Sequence, residues 1–235
     1  MVQSYALVTG GLRGIGLEIS QKLIVRGLRV FATTRDGSNL PHDLAERMTV
    51  LECGLADQTA RQKLLNGLPE IDVLVNNAGQ MYGVGLDQYD PQKREHMLQL
   101  NLIAPVELTW QIALQMKKRG GGRIVNNTSI AAHIGHPDIW YGATKAGLLN
   151  ATKSLARTLG CQGIIINAVA AGPVEGTDMI SAIPEKRKET IKKASILGRF
   201  AQPAEVAACV EWLALDSPPY VNGICLDINN GAFMR

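Results

Sequence analysis

Tyr141 and Lys145 lie four residues apart in a stretch whose apolar spacing predicts a helix near 141–160. Positions i and i+4 share one helix face, so the phenol and the ammonium point the same way. A neighbouring ammonium favours tyrosinate and lowers the phenol pKa from about 10. A tyrosine tuned in this way can give a proton to a developing alkoxide near neutral pH. The same spacing also fits an exposed helix pair with no chemistry. Twelve residues before Tyr141, Ser129 closes the segment Ile124-Val125-Asn126-Asn127-Thr128-Ser129. A hydroxyl there could hydrogen-bond a substrate carbonyl from the edge of a sheet. Thr128 is the rival, and a capping hydroxyl is the plain structural alternative. Asn101 falls inside a predicted helix near 91–118, where Asn is a poor choice. It marks either a local distortion holding a water or a solvent-facing position.

A second group is Thr9-Gly10-Gly11-Leu12-Arg13-Gly14-Ile15-Gly16, spaced G-x-x-x-G-x-G. Between a strand and a helix, such glycines let the backbone approach a pyrophosphate whose charge sits at the helix N-terminus. Asn76-Asn77-Ala78-Gly79 follows another apolar run and reads as a polar turn beside the same ligand. An acidic residue closing the second strand would bond the ribose 2′-hydroxyl of NAD. Thr33-Thr34-Arg35 stands there instead, with Asp36 one or two positions late. Arg35, with Arg13 on the same side, suits a 2′-phosphate through forked hydrogen bonds. The reading therefore favours NADP(H).

The elements that must position these residues follow a rhythm. Short apolar runs at 5–9, 28–33, 71–75, 123–126, 164–169 and 224–228 read as strands. Helical patterns at 15–26, 57–67, 91–118, 141–160 and 203–214 alternate with them. The expected fold is α/β, a single-domain Rossmann-like doubly wound parallel sheet with helices on both faces. No linker or repeat interrupts 1–235. Residues 174–199, with Glu185-Lys186-Arg187-Lys188-Glu189 and Lys192-Lys193, break the rhythm at a strand's C-terminal end. That is where open α/β sheets bind ligands, so a substrate lid is expected there, on what could equally be a solvated helix face.

The 235 residues are 46% hydrophobic and 19% charged, with a net charge of +3. This argues against a disordered chain and gives no basic face for nucleic acid. No run of about 18 apolar residues predicts a membrane span, and no secretory pattern is visible, so a cytoplasmic protein is expected. Cys53, Cys161, Cys209 and Cys225 form no C-x-x-C, and His42, His96, His133 and His136 form no H-E-x-x-H. No metal is expected in the chemistry. Trp110 and Trp212 are expected on buried helix faces, and Met97, Met116 and Met179 in core or lid packing. Trp140 is read as packing or substrate-facing; His133 and His136 are read as loop residues.

Taken together, Thr9-Gly10-x-x-x-Gly14-Ile15-Gly16, Asn76-Asn77-Ala78-Gly79, Asn101, Ser129, Tyr141-x-x-x-Lys145 and Gly172-Pro173 resemble the short-chain dehydrogenase/reductase family over nearly the whole chain. The resemblance implies Tyr141 as general acid and Ser129 polarising the carbonyl. Lys145 would hold the nicotinamide ribose, and Asn101 would hold a water in a proton relay. It implies cofactor contacts at Gly10, Leu12, Arg13, Gly14, Ile15, Gly16, Thr34, Arg35, Asn77, Ala78, Gly79, Gly172, Pro173, Val174 and Thr177, as well as at Tyr141 and Lys145. Within the family the chain is most similar to 3-oxoacyl-[acyl-carrier-protein] reductases. That implies a ketone or acyl-thioester substrate, a homotetramer, and a carrier-docking role for Arg119. Gly54, Ala171, Gln162 and Asn229 depart from that pattern. The alternatives are a ketoreductase of a secondary-metabolite, sugar or steroid pathway, and a catalytically silent nucleotide-binding sensor.

Overall fold

The computed structural model describes residues 3–37, 44–83, 90–181 and 183–235. Its strands are β1 (Tyr5–Val8), β2 (Arg29–Thr34), β3 (Met48–Glu52), β4 (Val73–Asn76), β5 (Gly122–Asn127), β6 (Ile164–Ala171) and β7 (Cys225–Ile228). They form one seven-stranded sheet in the order β3-β2-β1-β4-β5-β6-β7, with every pairing parallel.

Alternation along the strands sends side chains to two cores. Ala6, Val8, Val73 and Val75 pack with Ile19 and Leu23 of α1 (Gly14–Val25) and Val210 of α8 (Pro203–Glu211). Leu7 and Leu74 pack on the other face. Their neighbours there include Leu108, Ile112 and Met116 of α4 (Ala104–Lys118) and Leu155 of α5 (Ile139–Leu159). Each such side chain contributes roughly 1.5–3 kcal/mol on burial. The expected doubly wound architecture is therefore what forms.

Three elements differ from the sequence reading. β3 was not expected. It is an edge strand in which only Met48 is buried and Thr49 is exposed, so it offers no continuous apolar run. In-register pairing from Val30↔Met48 to Thr34↔Glu52 carries it instead. The helix expected at 91–118 is α3 (Pro91–Leu98), a π turn at Gln99–Ile103, then α4. Trp110 and Trp212 are 49% and 40% exposed, not buried. The sheet-facing positions of α4 are taken by Leu108, Thr109, Ile112, Ala113 and Met116, which leaves Trp110 and the exposed Leu114 on the outer face.

The strand order reverses between β1 and β4, which opens a crevice at their C-terminal ends. The glycine loop, residues 76–79, Ser129 and residues 172–177 all leave the sheet at that edge. Beyond β6 come α6 (Asp178–Ser181) and α7 (Glu185–Lys193). Among the described residues, no helix is long and apolar enough to cross a membrane.

Candidate active site

The glycine loop is laced to the neighbouring strand ends. Thr9 Oγ1 accepts from the amides of Asn77 and Ala78 at 2.9 and 3.0 Å. Asn77 Nδ2 donates to the carbonyls of Thr9 and Gly10, and Asn77 Oδ1 accepts from Asn127 Nδ2 at 3.0 Å. A Cβ on Gly16 would strike the Gly10 carbonyl oxygen and stand 2.7 Å from Asn77 Nδ2. Gly14, at φ +50°, faces open space bounded only by Thr177 Cγ2 at 3.9 Å. No side chain caps α1, and its first turn carries no acidic residue. Its free amides can receive an anion, so this cradle fits a pyrophosphate. Leu12 and Ile15 turn their side chains into the core, leaving only backbone for a ligand.

The far wall is also held. Gly172 N donates to Ile228 O at 2.9 Å, and the Pro173 carbonyl accepts from Ala201 N at 3.0 Å. Val174 is buried and bridges Ala201, and Thr177 Oγ1 donates to Val174 O at 2.9 Å.

The two arginines expected to converge have separate partners. Arg35 Nη1 donates to Gln80 Oε1 at 3.0 Å, whereas Arg13 pairs with Asp178 of α6 at 3.0 Å. Thr34 Oγ1 donates to Asp36 Oδ1 at 2.9 Å. The partners of the two arginines come from distant parts of the chain, so local spacing could not show them. The Arg13–Asp178 pair is largely exposed, so it contributes about 0–1 kcal/mol and yields readily to a phosphate.

Tyr141 lies in the first turn of α5, with Lys145 one turn later; both are buried. The Ser129 hydroxyl stands near enough to the Tyr141 phenol to favour its ionisation, and its oxygen accepts from Ala131 N at 3.1 Å. Thr128, the rival hydroxyl, is engaged elsewhere, donating to Val169 O at 2.6 Å. Lys145 Nζ donates to Asn127 O at 2.9 Å and stands 5.8 Å from the centre of the Tyr141 ring. Asn101 lies in the π turn and is fully buried, so the solvent-facing alternative fails. Its Oδ1 accepts from Gln80 N at 2.9 Å, and its Nδ2 donates to Gln80 O and Thr144 Oγ1 at 2.8 and 3.2 Å. A Cβ on Gly79 would lie 3.3 Å from both Asn101 Oδ1 and Lys145 Nζ, so glycine permits their close approach.

Burial pushes the Tyr141 phenol above its usual pKa, and the Asp138 charge adds to the rise; the Ser129 hydroxyl opposes it. This reverses the expected lowering by Lys145. The phenol is protonated at neutral pH, the form that can donate. Burial also pulls Lys145 down to about 8.

Asp138, Thr9, Gln80, Asn127 and Thr144 join the site without having been read as site residues. The Asn126-Asn127 pair ending a buried strand was a usable signal, since polar groups there need partners. Trp140, Met81, Tyr82 and Met179 pack around Met97, Ala131 and Tyr141. Residues 84–89, which follow Met81 and Tyr82, lie outside the described residues. Arg119 is already tied to Asp72 Oδ1 and Ile71 O, each at 2.6 Å. Away from Tyr141 and Lys145, His133, Cys225 and Asp227 bring their ligand atoms within 4.8 Å of one another. Arg235 donates to the Asp227 carboxylate at 2.7 Å, and Phe233 stacks on His133 at 5.4 Å, so this group anchors the C-terminal residues.

A model of the short chain dehydrogenase family matches residues 4–188. The chain is 34% identical to a 3-oxoacyl-[acyl-carrier-protein] reductase of Aquifex aeolicus over 240 residues, covering 97% of this chain and 96% of that protein. It is 32% identical to a 3alpha-hydroxysteroid dehydrogenase of Mediterraneibacter gnavus, with the same coverage. It superposes with a TM-score of 0.92 on a candidate NAD(P)-dependent gluconate 5-dehydrogenase of Beutenbergia cavernae holding NADP at low occupancy. That match has 26% identity and covers 99% of this chain and 97% of that one.

Proposed function

The chain belongs to the short chain dehydrogenase family, oxidoreductases of hydroxyl and carbonyl groups, and from that premise we propose that it reduces a 3-oxoacyl thioester with NADPH. The observation that carries the reading is the juxtaposition of Ser129, Tyr141 and Lys145, with Lys145 one turn from the tyrosine and the glycine cradle in the same crevice. Gly10, Gly14, Gly16 and the α1 amides would hold the dinucleotide, and Arg35 and Arg13 its 2′-phosphate. When bound, the reduced nicotinamide supplies a hydride to the carbonyl carbon. Ser129 orients the carbonyl oxygen, and Tyr141 gives that oxygen its proton. Lys145 holds the ribose and stabilises the phenolate left behind. Asn101 positions the water that returns a proton by way of Lys145 to the phenolate. Residues 174–199 act as a lid on one catalytic domain, 1–235, working in the cytoplasm as a homotetramer. Carrier-protein docking at Arg119 has to proceed with that side chain fastened to Asp72.

The thioester is favoured by the likeness to the Aquifex reductase. A steroid ketone is the second reading. The Mediterraneibacter relative and the apolar wall of Met81, Tyr82, Trp140 and Met179 both favour it. The deciding experiment follows NADPH oxidation with acetoacetyl-CoA beside a 3-ketosteroid and simple ketones. Preferred turnover of the thioester supports the first reading, and turnover confined to the steroid supports the second. Tight NADPH binding without turnover of any ketone would instead describe a nucleotide sensor.

Arg35→Asp is expected to lower the NADPH/NADH ratio of kcat/KM by roughly 10- to 100-fold, the loss of one charge-assisted contact. An unchanged ratio would remove Arg35 as the selector. For the oligomer, light scattering is expected to give the tetramer mass, with Trp110 and Leu114 available on the outer face of α4; a monomer mass overturns that assignment.

A further inference from the structure

Asp138 has no part in the proton path above, yet only 2% of it is exposed. Burying a carboxylate costs several kcal/mol unless hydrogen bonds replace its water. Here three backbone amides do so. Oδ1 accepts from Tyr141 N at 3.1 Å and caps α5. Oδ2 accepts from Tyr82 N and Gly83 N at 3.3 and 3.0 Å. Capping explains the first oxygen only, since Ser or Asn would cap as well. The second oxygen reaches a different segment, the one that follows Gln80 and packs Met81 and Tyr82 around Tyr141.

We propose that Asp138 is a positioning residue that locks the 81–83 wall of the cleft to the first turn of α5, fixing where a ketone stands relative to the Tyr141 phenol. This rests on Tyr141 as the proton donor. A wall free to shift by an ångström misplaces the carbonyl, and such a misplacement lowers rate by up to about 100-fold.

The same carboxylate has an electrostatic effect, because its charge opposes ionisation of Tyr141. Other groups face that ring or its neighbours. Lys145 stands 5.8 Å from the ring centre, His136 stands 5.2 Å from it, and the Ser129 hydroxyl favours the ionised phenol. From α3, Lys93 lies over Tyr82 at 5.7 Å, Arg94 over Trp140 at 5.6 Å, and His96 packs against Tyr82 at 6.2 Å. None of these carries a negative charge, so Asp138 is the group whose neutralisation moves the phenol downward.

Two variants of the full chain test this. Asp138→Ser keeps an oxygen for the cap but is too short for the second tie. Asp138→Asn keeps the size and removes the charge. Both are expected to bind NADPH as the wild type does. Asp138→Ser is expected to lower kcat for the ketone roughly 10-fold or more and to raise its KM as well, since the wall both seats the ketone and aims it. In Asp138→Asn the ascending limb of the alcohol-oxidation pH profile, where the phenol must lose its proton to act as base, is expected to move to lower pH, an effect a purely structural role would not produce. Wild-type kcat and KM in Asp138→Ser together with an unmoved limb in Asp138→Asn overturn the proposal. If Asp138→Asn does not fold, the kcat and KM of Asp138→Ser decide alone. Tyr141→Phe separates the two readings: its activity loss upholds the donor even where Asp138 proves dispensable.

Discussion

Tyr141→Phe is expected to lower ketone reduction by about 10²- to 10⁴-fold, the usual contribution of a positioned proton donor. One oxygen leaves, while the ring stays against Met97 and Ala131. Ser129 keeps its bond from Ala131 N, so the loop after β5 retains its shape. The dinucleotide cradle is built from other segments, and the NADPH dissociation constant should hold to within about twofold. The loss should fall on kcat rather than on KM, because proton transfer stabilises only the transition state. Steady-state kinetics beside a fluorescence titration of NADPH separates the two quantities. Wild-type turnover in this variant would sink Tyr141 as the donor.

Lys145→Met should also lose activity, by a similar ~10²- to 10⁴-fold, yet gain stability. Burial holds the ammonium near 8, below its ordinary 10.5, so carrying the charge disfavours the fold. Between about 8 and 10.5 the unfolded chain's lysine still binds a proton that the folded one has released. Wild-type stability therefore rises with pH through that window and is lost again as pH falls through about 8. The displacement corresponds to roughly 3 kcal/mol at neutral pH. Losing the bond to Asn127 O offsets about 1–2 kcal/mol of that. The methionine variant should thus melt about 2–6 °C above the wild type at pH 7. Its advantage should shrink by pH 10, where the wild-type lysine is neutral. A lower melting temperature at pH 7 would show that the buried ammonium stabilises the fold.

Legibility in the sequence followed the physics of each element. Buried parallel strands such as β4 rest on continuous apolar runs, here Val73 to Val75, and they were readable. The edge strand Met48–Glu52 is half exposed and was not. Tyr141, Lys145, Ser129 and Asn101 could be picked out as candidates because residue type and spacing together limit what they can do. The bond that engages Thr128 with Val169 showed only in three dimensions. Spacing placed Lys145 beside Tyr141 but could not weigh burial against charge, so the direction of the phenol's shift came out reversed. Trp110 was read as buried on hydrophobicity alone, although its helix already had a sheet-facing row. The partners of Arg13 and Arg35, and the second oxygen of Asp138, depend on contacts between segments far apart in the chain.

The turn at Gln99–Ile103 closes on a bond from Ala104 N to Gln99 O, five residues back rather than four. In the chain's arithmetic it holds one supernumerary residue. The helical frames on either side are out of phase by that residue, so the face that Met97 defines does not continue into Leu108 and Ile112 by simple counting. An alignment forced through Pro91–Lys118 without a gap puts Asn101 on the wrong side of the helix. A one-residue deletion here would mend the ladder, lengthen a regular helix, and swing Asn101 away from Gln80 by about 100°. The irregular turn is what aims Asn101 at Gln80 and Thr144, and a perfect helix over the same residues would lack that side chain there.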